Sequence, residues 1–192
     1  MLLSVYVPTL ILSFCNGLLL PILPLYAKSF GVSYGMVGVA LAGEGLGTLI
    51  CDVPAGLIMQ RIGRKPTMLL GVGCVVSAAL ALLWVGTFRG LIACRLLTGA
   101  GEALWSLSRH AYIADVTEVR ERGRAIALFG GLGRLGMFTG PAVGGALGAA
   151  FGLRFPFLLF SGMALLAFIF ACGYVRETGQ KTAGQGRRGG LR

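Results

Sequence analysis

Six stretches of the chain, 2–26, 34–59, 67–87, 91–113, 125–149 and 155–175, are apolar over about 20 residues or more, the length an α-helix needs to cross the hydrocarbon of a bilayer. The composition agrees with a lipid solvent. Charged residues make up 12% of the 192 and mean hydropathy is +0.82, whereas a water-soluble domain carries about 25% charged residues. The 32 glycines follow no G-X-Y period, which excludes collagen; in membrane helices small residues let backbones approach. The first run is too long and too proline-marked for a signal peptide, and it begins almost at Met1 without a basic flank, as a trimmed start would. The expected fold is an all-α membrane protein. A six-transmembrane-helix bundle occupies 1–175, and a Gly-, Gln- and Arg-rich basic tail, 176–192, is expected to be disordered.

Charge fixes an expected orientation. Arg61, Arg64 and Lys65 lie between runs two and three, Arg120, Arg122 and Arg124 between four and five, and Arg176, Lys181, Arg187, Arg188 and Arg192 after run six. The opposite connections hold only Lys28, Arg89 and Arg154. Lys and Arg accumulate on the cytoplasmic side, so both termini are expected there, in an integral, multi-pass membrane protein. The net charge of +10 is then mostly a topology signal, and anionic lipid headgroups are its expected partners. No aromatic residues interleave with the basic tail, so nucleic acid is not an expected partner.

Several chemistries find no residues. Cys15, Cys51, Cys74, Cys94 and Cys172 are scattered through apolar runs, and His110 is the single histidine, so neither a disulfide framework nor a metal site is expected. There is no phosphate-binding G-x-x-x-x-G-K-[ST] loop, no nucleophile–base set and no expected cofactor. An enzyme is not expected. The segment GLGRLG, 131–136, matches G-x-G-x-x-G, but no strand precedes it and Pro156 stands about where the ribose-binding acid belongs. Its glycines read better as helix packing. Gly136, Gly140, Gly144 and Gly148 recur every four residues on one face of helix five, with Pro141 bending it. That face is expected to meet a second six-helix unit.

An ionised side chain near the bilayer centre costs on the order of 3 kcal/mol. Glu44 lies about 15 Å into helix two at 1.5 Å per residue, with Glu102 and Arg134 at similar depth in helices four and five. Arg95, Glu102 and Arg109, spaced by seven, form one stripe on helix four, and Asn16 adds a polar group to helix one. Static pairing between helices is one reading of these residues. Charges on three helices favour a polar transport path, because apolar packing builds a static bundle more cheaply. Arg95, with Glu102 and Arg134 as its partners, and Asn16 are expected to line a substrate cavity. A carboxylate removed from water is harder to ionise and can exchange a proton nearer neutrality; Glu44 and Glu102 are the expected proton-coupling residues. Asp52 and Asp115, near the cytoplasmic interface, are expected to pair with the loop arginines.

These residues resemble the amino-terminal half of a major facilitator superfamily transporter. Gly56, Arg61, Gly63, Arg64 and Lys65 resemble its loop 2–3 signature G-x-x-x-D-R-x-G-R-[RK], with Gln60 in place of the Asp. Arg95, Gly99 and Gly101 resemble R-x-x-x-G-x-G. Gly136, Gly140, Pro141, Gly144 and Gly145 resemble the antiporter-associated G-x-x-x-G-P-x-x-G-G, and NGLLLPILPLYA of helix one resembles the drug–proton antiporter branch. The resemblance implies one half of a major facilitator fold. It also implies a cytoplasmic latch in which the loop cations, with Asp115 as partner, hold the outward-open state; Asp52 is expected to replace the missing loop acid in part. Members are built from two such halves, so a half-size chain that dimerises, or a truncated product, is implied. The leading function is proton-coupled efflux of a small organic solute by a half-unit that needs a second half. An organic-anion or metabolite carrier without proton coupling is one alternative, favoured by Arg95 and Arg134. A non-transporting fragment or modulatory subunit is the other.

Overall fold

The structure, a computed structural model, describes residues 3–174, and the expected basic tail lies outside the described residues. All regular structure among them is helical: α1 (Leu3–Lys28), α2 (Tyr34–Ile62), α3 (Arg64–Trp84), α4 (Phe88–Val116), α5 (Arg122–Phe151) and α6 (Phe155–Tyr174). Several helix ends extend the apolar runs by a few residues, because capping groups lie outside the hydrophobic pattern, whereas α3 stops at Trp84, three residues short of its run. Ser33 accepts from the Met36 N–H at the start of α2, and Thr87 accepts from the Gly90 N–H at the start of α4. A single residue, Gly63, separates α2 from α3. Its φ of +94° is a conformation that side chains disfavour, so glycine is needed for so tight a reversal.

Five helices are long and apolar enough by themselves to cross a membrane; α4 is not among them. At 29 residues it has ample length, but it carries Arg95, Glu102 and Arg109. Its polar face is turned toward its neighbours, while Leu97 and Leu107 remain exposed. Arg95, Thr98, Ser108 and Arg109 are all buried, and α4 lies between α2 and α3.

The second three helices repeat the packing of the first three. α1 packs chiefly on α5 and then on α6; α4 packs chiefly on α2 and then on α3. A contact between α3 and α6 closes the bundle, where Ser161 Oγ donates to the Ala79 carbonyl at 2.9 Å. Trp105, Tyr112, Phe157 and Phe160 fill the centre.

Each principal contact is a seam of small residues. On α5, Gly136, Gly140 and Gly144 are buried against α1. A Cβ on Gly140 would stand 2.5 Å from the Leu18 backbone nitrogen and 2.6 Å from the Phe14 carbonyl oxygen, and one on Gly148 would meet Ile22. The ladder expected to face a second unit therefore faces α1 instead. Spacing along one helix cannot tell which neighbour a close-packing face meets. The corresponding seam on α2 consists of Gly43 and Gly47, against Arg95 and Leu96 of α4, with Gly99 of α4 against the Glu44 backbone. Gly145 points into open space.

Gly140→Leu forces two backbones apart and is expected to lower stability in detergent by about 1–3 kcal/mol or more. Gly145→Ala, with nothing within 4 Å, is expected to leave it unchanged. Thermal unfolding of the two variants beside the parent checks this ordering.

Candidate functional site: a polar cavity between helices

A cavity of about 540 Å³ opens among α1, α2, α4 and α5. Its polar groups are Ser13, Asn16, Glu44 and Arg95, and Leu19, Leu23, Leu41 and Met137 supply apolar wall. Asn16, Glu44 and Arg95 thus meet from three helices. The small-residue seam between α2 and α4 makes this possible. Gly43 leaves room for the Arg95 side chain, whose Cβ would lie 3.0 Å from a Cβ on that glycine.

Glu44 and Arg95 form an ion pair, with Nη2 of Arg95 donating to Oε2 of Glu44. The arginine is buried and the glutamate is partly open to the cavity. This corrects the expected partners. Arg95 pairs with Glu44, not with Glu102 or Arg134. Glu102 is seven residues further along α4, about 10 Å of axial rise, too far for a direct bond, while Glu44 lies at the level of Arg95 on the adjoining helix. Thr48 locks the crossing: its hydroxyl lies 3.0 Å from the Glu44 carbonyl and 3.1 Å from the Gly99 carbonyl of α4.

Glu102 is part-buried and interacts electrostatically with Arg109 and Glu44. Arg109 lies over the Phe129 ring of α5 at 3.9 Å, a cation–π contact that bridges two helices with little other contact. Arg134 does not join the cavity. It is exposed on α5, in an apolar groove of about 610 Å³ with Leu128, Leu132 and Phe138.

At the end of the bundle that carries Gly63, here termed the basic end, Arg64 pairs with Asp115. A cation starting α3 and an anion near the end of α4 each oppose their helix dipole, and pairing them offsets both. Arg122 adds bonds from Nη2 to the Ala114 carbonyl at 2.6 Å and from Nε to the Thr117 carbonyl at 3.3 Å, capping α4. Arg61 is exposed and Lys65 half-buried, and Gly56 faces Leu107 of α4 across the α2 seam. Asp52 is exposed and has no ion pair among the described residues, so it does not stand in for the missing loop acid. It is ten residues before the end of α2, about 15 Å away along the axis.

Thr48 and Ser13 had no sequence signal strong enough to single them out, and Arg122 stood out only as a loop cation, not as a cap of α4. The α2 seam did have one: Gly43 and Gly47 show the same four-residue spacing as the α5 ladder. Among the described residues no cluster of His, Cys, Asp and Glu could hold a metal ion.

The sequence matches the description of the Major Facilitator Superfamily over residues 6–191. The chain belongs to that superfamily. It is an integral, multi-pass membrane protein of a transporter family, not an enzyme. Multidrug resistance protein 2 of Bacillus subtilis (strain 168) is 30% identical over 163 residues, covering 84% of this chain and 40% of that protein. Tetracycline resistance protein, class C, of Escherichia coli is 31% identical over 173 residues, covering 84% and 41%. The crystal structure of the human organic anion transporter MFSD10 (TETRAN) shares the fold with a TM-score of 0.74 at 24% identity, covering 94% of this chain and 48% of that one. The chain spans less than half the length of these relatives.

Removing one member of a buried ion pair strands the other and costs about 3–5 kcal/mol. Arg95→Ala is therefore expected to destabilise the protein far more than Arg89→Ala, which removes an exposed cation. Unfolding midpoints of the two purified variants provide the comparison.

Proposed function

We propose that the chain is one six-helix half of a secondary transporter that expels small organic solutes in exchange for protons. The observation that carries this reading is the Glu44–Arg95 pair lining a largely apolar cavity. Relatives at 30% and 31% identity bear the names of multidrug and tetracycline resistance proteins, which supports solute efflux.

The pair suits exchange because its two members depend on each other. While Glu44 is ionised, it neutralises Arg95 and the cavity has no net charge from them. Protonation of Glu44 removes its charge and leaves a buried guanidinium needing a new partner. That imbalance biases the helices that carry the two groups toward a different arrangement, as a switch must. The apolar wall takes the hydrophobic body of a solute. Asn16 and Ser13 offer hydrogen bonds.

The cavity is completed in this reading by a second six-helix unit, from a longer chain or another copy. Support comes from α2 and α5, which expose the large apolar residues Leu49, Val53, Leu135 and Phe138. The cation bias directs the basic end to the cytoplasm. There Arg64–Asp115 fastens α3 to α4, and the exposed Arg61 is available to the second unit as part of a latch.

The test is uptake of a fluorescent organic cation by inside-out proteoliposomes, with and without a proton gradient. The parent protein is expected to accumulate the dye only with the gradient. Glu44→Gln is expected to abolish gradient-driven accumulation while dye binding remains measurable. Accumulation in the parent that ignores the gradient contradicts proton exchange.

A further inference from the structure

Between Glu102 and the basic end, α4 presents a run of buried polar atoms that neither the cavity nor the fold uses. Trp105, Ser108 and Tyr112 are wholly buried and Arg109 is nearly so. Trp105 Nε1, Ser108 Oγ, Arg109 Nε and Tyr112 Oη are each buried without a hydrogen-bonding partner among the described residues. The guanidinium of Arg109 lies over the Phe129 ring at 3.9 Å and the Trp105 ring at 5.9 Å, and its Nη2 donates to Ser106 Oγ at 3.4 Å. Native proteins leave few such groups, because each costs about 1–3 kcal/mol when unsatisfied. Here four fall within eight consecutive residues of one helix.

Their order is that of a path. Glu102 to Trp105, Trp105 to Ser108 and Arg109, and these to Tyr112 are steps of three or four residues, so consecutive members share one face of the helix, with Cβ atoms about 5–6 Å apart. Apolar side chains of the same shape, Phe for Tyr112 and Ala for Ser108, would fill the interior without leaving polar atoms to satisfy. The donor and acceptor chemistry fits water in particular. Two members donate only, through Trp105 Nε1–H and Arg109 Nε–H, and two hydroxyls both donate and accept; a buried water needs two to four such partners.

We propose that Trp105, Ser108, Arg109 and Tyr112 hold a file of water molecules that conducts protons between Glu102 and the basic end of the bundle. The proposal rests on the reading of the chain as proton-coupled. In the exchange direction, the Glu102 carboxylic acid gives its proton to the first water and is left as a carboxylate. Each water passes one proton onward, and one hydronium leaves at the Tyr112 end. Ser108 and Tyr112 relay by rotating their hydroxyls. Trp105 and Arg109 position water and do not titrate in the step. The ionisable groups that interact with Glu102 are Arg109 on its own helix and Glu44 on α2. Glu44 lines the cavity, so the two acids place proton binding from the cavity and release through the file at successive levels of the bundle.

The test is hydrogen–deuterium exchange at Glu102, followed by infrared spectroscopy of the reconstituted protein. The carboxylic C=O band is assigned by its loss in Glu102→Gln, and its shift is timed after transfer to D₂O. Tyr112→Phe and Ser108→Ala are each expected to slow exchange by about tenfold or more, equivalent to about 1.4 kcal/mol of added barrier. Tyr6→Phe, whose hydroxyl is already bonded to the Ala125 carbonyl, is expected to exchange like the parent. Unchanged exchange in the folded Tyr112→Phe and Ser108→Ala variants overturns the path. So does the absence of a protonated Glu102 band at every pH where the protein stays folded. Slowed exchange in those variants, together with transport indifferent to a proton gradient, keeps the path and refutes the coupling.

Discussion

Hydrocarbon gives an ionised side chain nothing to bind except another part of the protein, and in this chain that constraint is met first by Glu44 and Arg95. The pair joins the second and fourth helices at one level. It forms only because the backbones there come close, and they come close because Gly43, Gly47 and Gly99 carry no side chains. Bringing helices together through small residues and satisfying charges between them are thus one act. Remove the glycines and the charges cannot meet. Remove either charge and the seam encloses a stranded ion.

The same economy explains the repeated packing. The first helix meets the fifth, as the fourth meets the second, through a glycine seam. The two seams bear different chemistry. The seam between α1 and α5 is apolar and fixed by backbone contact, whereas that between α2 and α4 carries the ion pair and Thr48. The cavity lies where the two seams face each other, with Asn16 and Ser13 on one side and Glu44 and Arg95 on the other.

Much of this is legible in the sequence. Apolar run length marks six helices, five of them apolar enough by themselves to cross a membrane, and the glycine and arginine signatures resemble the family to which the chain belongs. The depth of Glu44 and Arg95 marks them as residues in need of partners. Their pairing was not legible, because depth along a helix says nothing about rotation or about which neighbour adjoins. For that reason Glu102 was expected to pair with Arg95, and the α5 ladder to face outward. Arg134 shows the same gap, since a midplane arginine on α5 faces the cavity or the exterior according to a rotation of the helix that only packing fixes. Asp52 stands about two turns before Gln60 in the sequence, and only the structure shows that it is exposed and has no ion pair among the described residues. The buried polar run from Trp105 to Tyr112 was hidden for another reason. Tryptophan and tyrosine within an apolar stretch read as packing until their polar atoms are found without partners.

The central claim is that Glu44 and Arg95 act as one unit in the interior of the bundle. A double-mutant cycle on unfolding in mild detergent tests it most directly, with Glu44→Gln, Arg95→Gln and the two combined. If the pair holds the α2–α4 seam, each single change strands a charge and the combined variant is more stable than the two losses together imply, with a coupling of about 2 kcal/mol or more. Losses that simply add, to within about 0.5 kcal/mol, would show that the two side chains do not depend on each other and would contradict the account.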